Sequence, residues 1–505
     1  MTGRNGRKRR GQALTLLAAL LLLGHPAAAQ GPKKDTLSVD LPGDAATLDP
    51  HVQWDTDSYS IYRNIFDNLL TRDASGTIVP QIATAWRYVS STVIEFDLRN
   101  DVKFHDGTPL TAEDVVFSVK RITNPEFKSP QLGQFNSIIG AEVVSPNVVR
   151  LTTKEPYPVL LAQLVKLSIV PKRHVESVGN TRFNAEPVGS GPYRLAGWQK
   201  GVRTTLEANP AYWRGKPSFS RVTFQPVPDA ATRIADLRTG KADITRGLNA
   251  DDAAALRSET QLQILSIPTE RIGYLFINAL AGPTKDVRVR KAIAHAIDRR
   301  LIIEALLGGF GRPVDILLTP ANFGYTPDVK GYDYDLARAK SLIKEAGAEG
   351  AELPFLTSPV YDQRVVQAIQ QMLGEAGLKV TISTSDQATF LRRRQGAPQD
   401  AGSLSFGRWS CACQDADGVI QPLFHSGSIW AKYQNPDYDQ AVEKARATLD
   451  PAERLLSYRK ALDILKDDVP GIGLYQDVAI YGARKGLRWQ PTADESFFVF
   501  NMSWE

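Results

Sequence analysis

Only two cysteines, Cys411 and Cys413, occur among the 505 residues. So few exclude a disulfide framework as the source of stability in a chain of this length. The core must come from apolar burial, for which a hydrophobic content of 43% is ordinary. Histidine is also scarce. His51, His105, His174, His295 and His425 are the only ones after the first 29 residues, and no two stand at the i, i+3 or i, i+4 spacing of a helical metal site. No H-E-x-x-H, G-x-S-x-G or G-x-x-x-x-G-K-[ST] motif is present, so no catalytic signature points to an enzyme. Beyond the N-terminus there is no run of 18 or more apolar residues, which leaves no second candidate for a membrane span.

The N-terminus itself reads as a cleavable leader. Arg4, Arg7, Lys8, Arg9 and Arg10 precede a short apolar run, Leu14 to Leu23, and Ala27-Ala28-Ala29 offers an A-x-A cleavage site. Arg9-Arg10 is followed by Gly11-Gln12-Ala13 rather than by large apolar residues, which favours general secretion over a twin-arginine route. With no cysteine at the cleavage point, a lipid anchor there is excluded. Residues 1–29 are therefore expected to be a signal peptide, and the mature protein to be exported to the periplasm. Removing the five basic residues of the leader brings the 60 Lys and Arg of the whole chain to parity with its 55 Asp and Glu. No overall basic field remains to attract nucleic acid or an anionic membrane.

The remaining length exceeds what one core usually serves, so two or three domains are expected. Strand and helix signals alternate. Thr92 to Leu98 repeats apolar residues with period two, and Thr111 with Asp114 three residues on predicts a capped helix start. Ala230 to Thr239 predicts a short helix closed by Gly240, and Asp286 starts another carrying Val289, Ile293 and Ile297 on one stripe. Asp362 to Ala376 predicts a helix stopped at Gly377, Leu378 to Thr384 a strand, and Pro451 to Lys466 a helix. The mixed order argues for α/β with more than one sheet. Val188-Gly189-Ser190-Gly191-Pro192 and Leu280-Ala281-Gly282-Pro283 are candidate seams between domains. The first is a poor anion loop, since Pro192 lacks an N–H, and a tight turn explains it better; His105-Asp106-Gly107 likewise reads as a turn.

Several segments together resemble the extracellular solute-binding proteins of family 5, which serve peptide, dipeptide and nickel ABC importers. They are LRNDVKFHDGTPLTAEDVVFSVKR (from Leu98), VGSGPYRLAGWQKGVRTTLEANPAYWRGKP (from Val188), PDAATRIADLRTGKADI (from Pro228), DVRVRKAIAHAIDRRLII (from Asp286) and YDYDLARAKSLIKEAG (from Tyr332). The resemblance implies a periplasmic-binding-protein-like type II fold whose two lobes close on ligand about a hinge. One lobe would comprise residues 30–67, 188–271 and 481–505 with an extra subdomain at 68–187, and the other residues 272–480, the chain crossing between lobes near the two seams. It implies a binding protein rather than an enzyme, with no cofactor and no nucleic acid. A monomer is expected, capturing a peptide or peptide-like solute and passing it to an ABC permease in the inner membrane. The same fold also accommodates a nickel chelate, haem, a sugar or an opine; a secreted hydrolase is the reading from a different class.

Relatives that bind peptides hold the ligand ammonium with a carboxylate and its carboxylate with an arginine. Trp409, Asp415, Asp417, Leu423 and Phe424 match the motif carrying the carboxylate, though Ser410 to Gln414 replaces its usual interior and Ala416 stands where proline is common. The resemblance favours Asp415 over Asp417 as the ligand contact; capping of a helix near Gly418 is the structural alternative. Arg364 matches the carboxylate-binding arginine, and a cation in the first turn of a helix opposes the macrodipole, a placement suited to an arriving anion. Tyr361, Phe390, Trp409 and Trp430 are candidate walls, and His425 a candidate ligand for a metal chelate. For Cys411 and Cys413, a redox catalyst lacks its C-x-x-C and a metal site lacks further ligands. A disulfide and two packed thiols both remain open; a fully extended C-x-C spans roughly 6.6 Å between Cα atoms, so a bridge needs a local kink.

Overall fold

The computed structural model describes residues 34–505 apart from Trp54 and Ala412, and the expected signal peptide lies outside the described residues. Local sequence rules account for most of its elements. Thr111 and Asp114 form a reciprocal capping box at the start of helix Ala112–Thr123. Asp229, Asp286 and Asp362 each accept a backbone N–H at the start of helices Ala230–Thr239, Val287–Ala296 and Gln363–Glu375. Gly240 ends the first of these in the left-handed region at φ 78°.

Strands gather mainly into an 11-stranded sheet. One wing runs Leu404–Trp409, Glu352–Thr357, Lys379–Thr384, with parallel pairing of the last two. The other runs Ile244–Arg246, Thr36–Leu41, Arg221–Pro226 and then two antiparallel strands, Arg203–Ala208 and Tyr193–Gln199. Two long antiparallel strands, Leu262–Ile277 and Gly471–Arg484, join the wings. Their register is regular from Leu262 to Pro268, breaks before Ile272, and shifts again between Gly273 and Tyr274. Proline cannot donate to the ladder, so Pro268 is a natural place for the pairing to lapse.

Each wing carries its own core. Leu37, Val39, Tyr62, Phe66 and Phe183 belong to one cluster. In the other wing the strand alternation delivers Leu275 and Ile277 to one cluster and Ile272, Tyr274 and Phe276 to another, so both faces of the sheet are covered. A separate four-stranded antiparallel sheet, with Val93–Leu98 at its centre, packs Ile94 and Phe96 against Val115 and Val119 in a further core.

The seam at Val188–Pro192 is where that smaller layer rejoins the main sheet. A Cβ on Gly189 would overlap the Ile65 carbonyl oxygen, and one on Gly191 would lie 2.7 Å from the Asn64 carbonyl oxygen. The outgoing chain is thus bonded directly to the incoming one, through Gly191 N to Ile65 O at 2.8 Å. His105 clasps the same seam, accepting from Gly189 N through Nδ1 at 3.3 Å and donating from Nε2 to Gly191 O at 3.0 Å. The second expected seam lies just beyond the strand Leu262–Ile277. Leu280–Pro283 is a loop within one wing, tied by Leu280 N to Asn278 Oδ1 at 3.0 Å. The chain passes between wings inside the two long strands, which are paired on both sides of the register break.

Candidate functional site

The register break places Glu270 at the junction of the wings. Around it, Gln476 Nε2 donates to Thr269 O at 2.6 Å, Thr269 Oγ1 donates to Asp477 O at 3.2 Å, and Glu270 N reaches Ala493 O at 3.4 Å. Glu270 lines a cavity of about 180 Å³. Tyr59 and Arg63 reach it from the helix beginning at Thr56, Arg72 to Gly76 from a turn of the smaller layer, and Lys166 from the end of a short helix. Gln414 and Ala321 close it from the opposite wing, and Asp494 from near the C-terminus. The cavity is therefore bounded by both halves of the molecule.

Its charges differ in how far they are satisfied. Arg63 pairs with Asp494 at 3.2 Å and also bonds Ser496. Arg72 donates to Gly76 O at 2.6 Å and to Cys413 O at 2.9 Å, linking the turn to the opposite wing. Among the described residues no carboxylate pairs with Arg72, and its buried Nε has no partner. Glu270 is 6% exposed, and its Oε2 likewise finds no hydrogen bond. Burial raises the Glu270 carboxyl to about 7, with Lys166 opposing the rise and Asp494 adding to it. Burial lowers the Lys166 ammonium to about 8, with Glu270 opposing.

Most residues singled out from the sequence lie elsewhere. Asp415, favoured from the sequence as the receptor for a ligand ammonium, is paired within the protein. Arg454 Nη2 donates to both its oxygens, at 2.9 and 2.8 Å, and Tyr458 OH and Asp417 N donate to Oδ1 at 3.0 Å each. It lines an adjoining open cavity of about 410 Å³, and its Oδ2 accepts from Arg454 alone. Asp417, at the first turn of helix Asp417–Phe424, faces Arg446 at 2.8 Å. Burial raises its carboxyl to about 6 against the pull of Arg446 and with the help of Asp415. Arg364 lines a different cavity, shared with Arg408 and Asp477, and its exposed guanidinium is held by Asp362 at 2.8 Å.

The expected aromatic walls pack in pairs. Phe390 is 3% exposed, and Tyr361 packs edge-on to it and to Phe406 at 5.5 and 5.7 Å. Trp409 donates to Gly418 O at 2.9 Å and meets Trp430 edge-on at 5.6 Å. None of the four lines the hinge cavity, because the apolar bodies are drawn into the core or onto each other. His425 engages Glu443 at 3.1 Å, and no three potential metal ligands cluster among the described residues.

Cys411 and Cys413 are joined as a disulfide with Cα atoms 5.0 Å apart. The kink is a tight turn, closed by Gln414 N to Cys411 O at 2.9 Å with Gln414 at φ 50°. A Cβ on Gly418 would overlap Cys411 Sγ, so glycine there makes room for the sulfurs. Cys413 packs on Val159 and Ala162, carried by the chain of the smaller layer. The double substitution Cys411→Ser, Cys413→Ser is expected to cost about 1–2 kcal/mol, the chain-entropy value for so short a loop. Urea unfolding with and without reductant measures it, and alkylation without reductant should modify neither cysteine.

Glu270, Arg72 and Lys166 were not foreseen. The one local signal was a proline followed by Thr-Glu-Arg inside a mainly apolar strand. Comparison with known proteins places this architecture. The chain is 28% identical over 488 residues to a glutathione-binding protein of Salmonella choleraesuis, covering 93% of this chain and 94% of the relative. HbpA2 of Haemophilus parasuis superposes with a TM-score of 0.85 at 24% identity, over 93% of this chain and all of that one. AgaA of A. tumefaciens R10, solved with agropinic acid, gives a TM-score of 0.74 at 28% identity, over 93% and 99%. The fold is that of the type II periplasmic binding proteins. Residues 77–431 match the model of the bacterial extracellular solute-binding proteins, family 5 Middle, and the chain belongs to that family of substrate-binding transport proteins.

Proposed function

We propose that this protein is a monomeric, non-enzymatic periplasmic receptor that captures a peptide or peptide-like solute in the hinge cavity and delivers it to an inner-membrane ABC permease. On this reading the leader at residues 1–29 is removed on export. Residues 30–67, 188–271 and 481–505 with the extra subdomain 68–187 form one lobe, and residues 272–480 the other. The observation that carries the reading is the cavity at the register break of the two joining strands, walled by both halves and charged with both signs. A solute seated there contacts both walls only when the halves are closed, which is the differential binding that drives closure. The name of the Salmonella relative supports a small peptide as the class of solute.

Thermal unfolding against a panel of glutathione, di- and tripeptides, agropinic acid, a nickel–histidine chelate and simple sugars tests it. A true solute at a hundredfold excess over its dissociation constant adds about 2.7 kcal/mol of stability. Stabilisation by peptide-like members is expected. A response to sugars or the nickel chelate alone overturns the peptide reading, and turnover of any member overturns the non-enzymatic one.

A further inference from the structure

We propose that the Cys411–Cys413 disulfide is a redox latch between the two halves, opened by a small thiol that exchanges with it. This rests on the reading that the halves part and close. Cys413 gives the smaller layer a polar and an apolar contact at once. Its carbonyl oxygen accepts from Arg72 Nη2 at 2.9 Å, and its side chain packs in a cluster with Ile78, Tyr157, Val159 and Ala162. All four belong to the smaller layer, so parting of the halves uncovers a residue that is 2% exposed while they touch. The disulfide shapes this contact. It draws the Cα atoms to 5.0 Å, where an extended C-x-C spans roughly 6.6 Å, and it holds Gln414 left-handed at φ 50°. A glutamine released from that turn favours right-handed or extended backbone, which swings the Cys413 carbonyl away from Arg72.

The surroundings of the sulfurs suit the exchange. Cys411 Sγ accepts from Cys413 N at 3.2 Å and lies against Gly418, in the first turn of helix Asp417–Phe424. The N–H and the positive end of the helix both stabilise a thiolate there, which makes Cys411 the better leaving group. The thiolate of a small thiol bonds to Cys413 Sγ as the Cys411–Cys413 bond breaks, and the electron pair leaves on Cys411 Sγ. A second thiolate bonds to the sulfur of the first and displaces Cys413. Two small thiols become one disulfide, and their two protons end on the two protein thiols.

Dithiothreitol is the probe, added to the intact folded protein. Alkylation after its addition is expected to label both cysteines while the far-UV circular dichroism stays native. Cysteines left unlabelled at a concentration that labels them in urea overturn the exchange. Hydrogen exchange then compares the oxidised protein, the reduced protein and the double variant Cys411→Ser, Cys413→Ser. Helix Leu160–Leu164, which carries Ala162, is expected to exchange at least about threefold faster in the reduced protein and in the variant, with strand Val93–Leu98 of the smaller sheet unchanged. Unaltered exchange at Leu160–Leu164 overturns the latch. Equal acceleration at Val93–Leu98 overturns it too, since it marks a bond that only stabilises the whole layer. Should the variant fail to fold, the reduced wild type decides the comparison alone. None of these outcomes bears on solute binding, which the thermal panel tests separately.

Discussion

Arg454→Met is expected to cost about 3–5 kcal/mol of stability, the penalty for removing one partner of a buried ion pair. Asp415 and Arg454 are each 6% exposed at the side chain. The guanidinium supplies two of the four bonds to the carboxylate and also lies over the Phe323 ring at 4.5 Å. Without it the carboxylate stays buried, with only Tyr458 OH and Asp417 N as donors. It sits on the loop that Phe323 clamps through Phe323 N to Gln414 O and Ala416 N to Phe323 O, both at 2.8 Å, so the loss reaches the wall of the cavity. Replacing both charges with apolar residues should recover part of the loss, since a buried pair is often no better than its hydrophobic substitute. Urea unfolding followed by tryptophan fluorescence measures both variants. A cost below about 1 kcal/mol for Arg454→Met would mean that Arg454 does not balance Asp415. Were Asp415 the ligand's receptor, its own variants would lose affinity first; its buried pairing with Arg454 makes loss of stability the leading effect.

What could be read from the residues follows the range of the forces involved. Caps and stops act within one turn, so the capping box at Thr111 and Asp114 and the terminator Gly240 were legible. Period-two alternation made Val93–Leu98 legible as a strand. The turn at Gly189-Ser190-Gly191 was also legible, but not its cause, which is the approach of the backbone at Asn64 and Ile65 from far earlier in the chain. The motif around Trp409 was legible, but not the partners its side chains take. Gln414 does line the hinge cavity, while Asp415 next to it is neutralised by an arginine 39 residues away. Asp415 also accepts from Asp417 N, but it precedes the N-cap Ala416, and no side chain caps that helix. Glu270 was illegible because its character is an absence of partners, and only the packing of Arg63, Arg72, Lys166 and Asp494 around one point reveals that absence.

Glu270→Gln is expected to gain up to about 3 kcal/mol of stability relative to wild type between pH 4 and pH 8. The groups acting on Glu270 are Lys166, Arg271 and Arg72, which lower its carboxyl, and Asp494, which raises it; burial outweighs them and brings it to about 7. The folded protein therefore holds a proton on Glu270 through the acid range. Above about 8 the buried Lys166 loses its charge, which leaves the cavity Arg63 and Arg72 as cations. The shift of Glu270 acts on folding with a defined sign. Between the ordinary 4.5 of a glutamate and about 7 the folded state binds more protons than the unfolded one, so this group's contribution to stability is lost as pH rises through that window. A glutamine has no such proton to lose, so the variant escapes that decline. Urea unfolding of both proteins from pH 4 to pH 8 measures the difference. A difference that is level across that range would mean that Glu270 titrates alike in the folded and unfolded chain, because a carboxyl that ionises on unfolding cannot leave stability independent of pH.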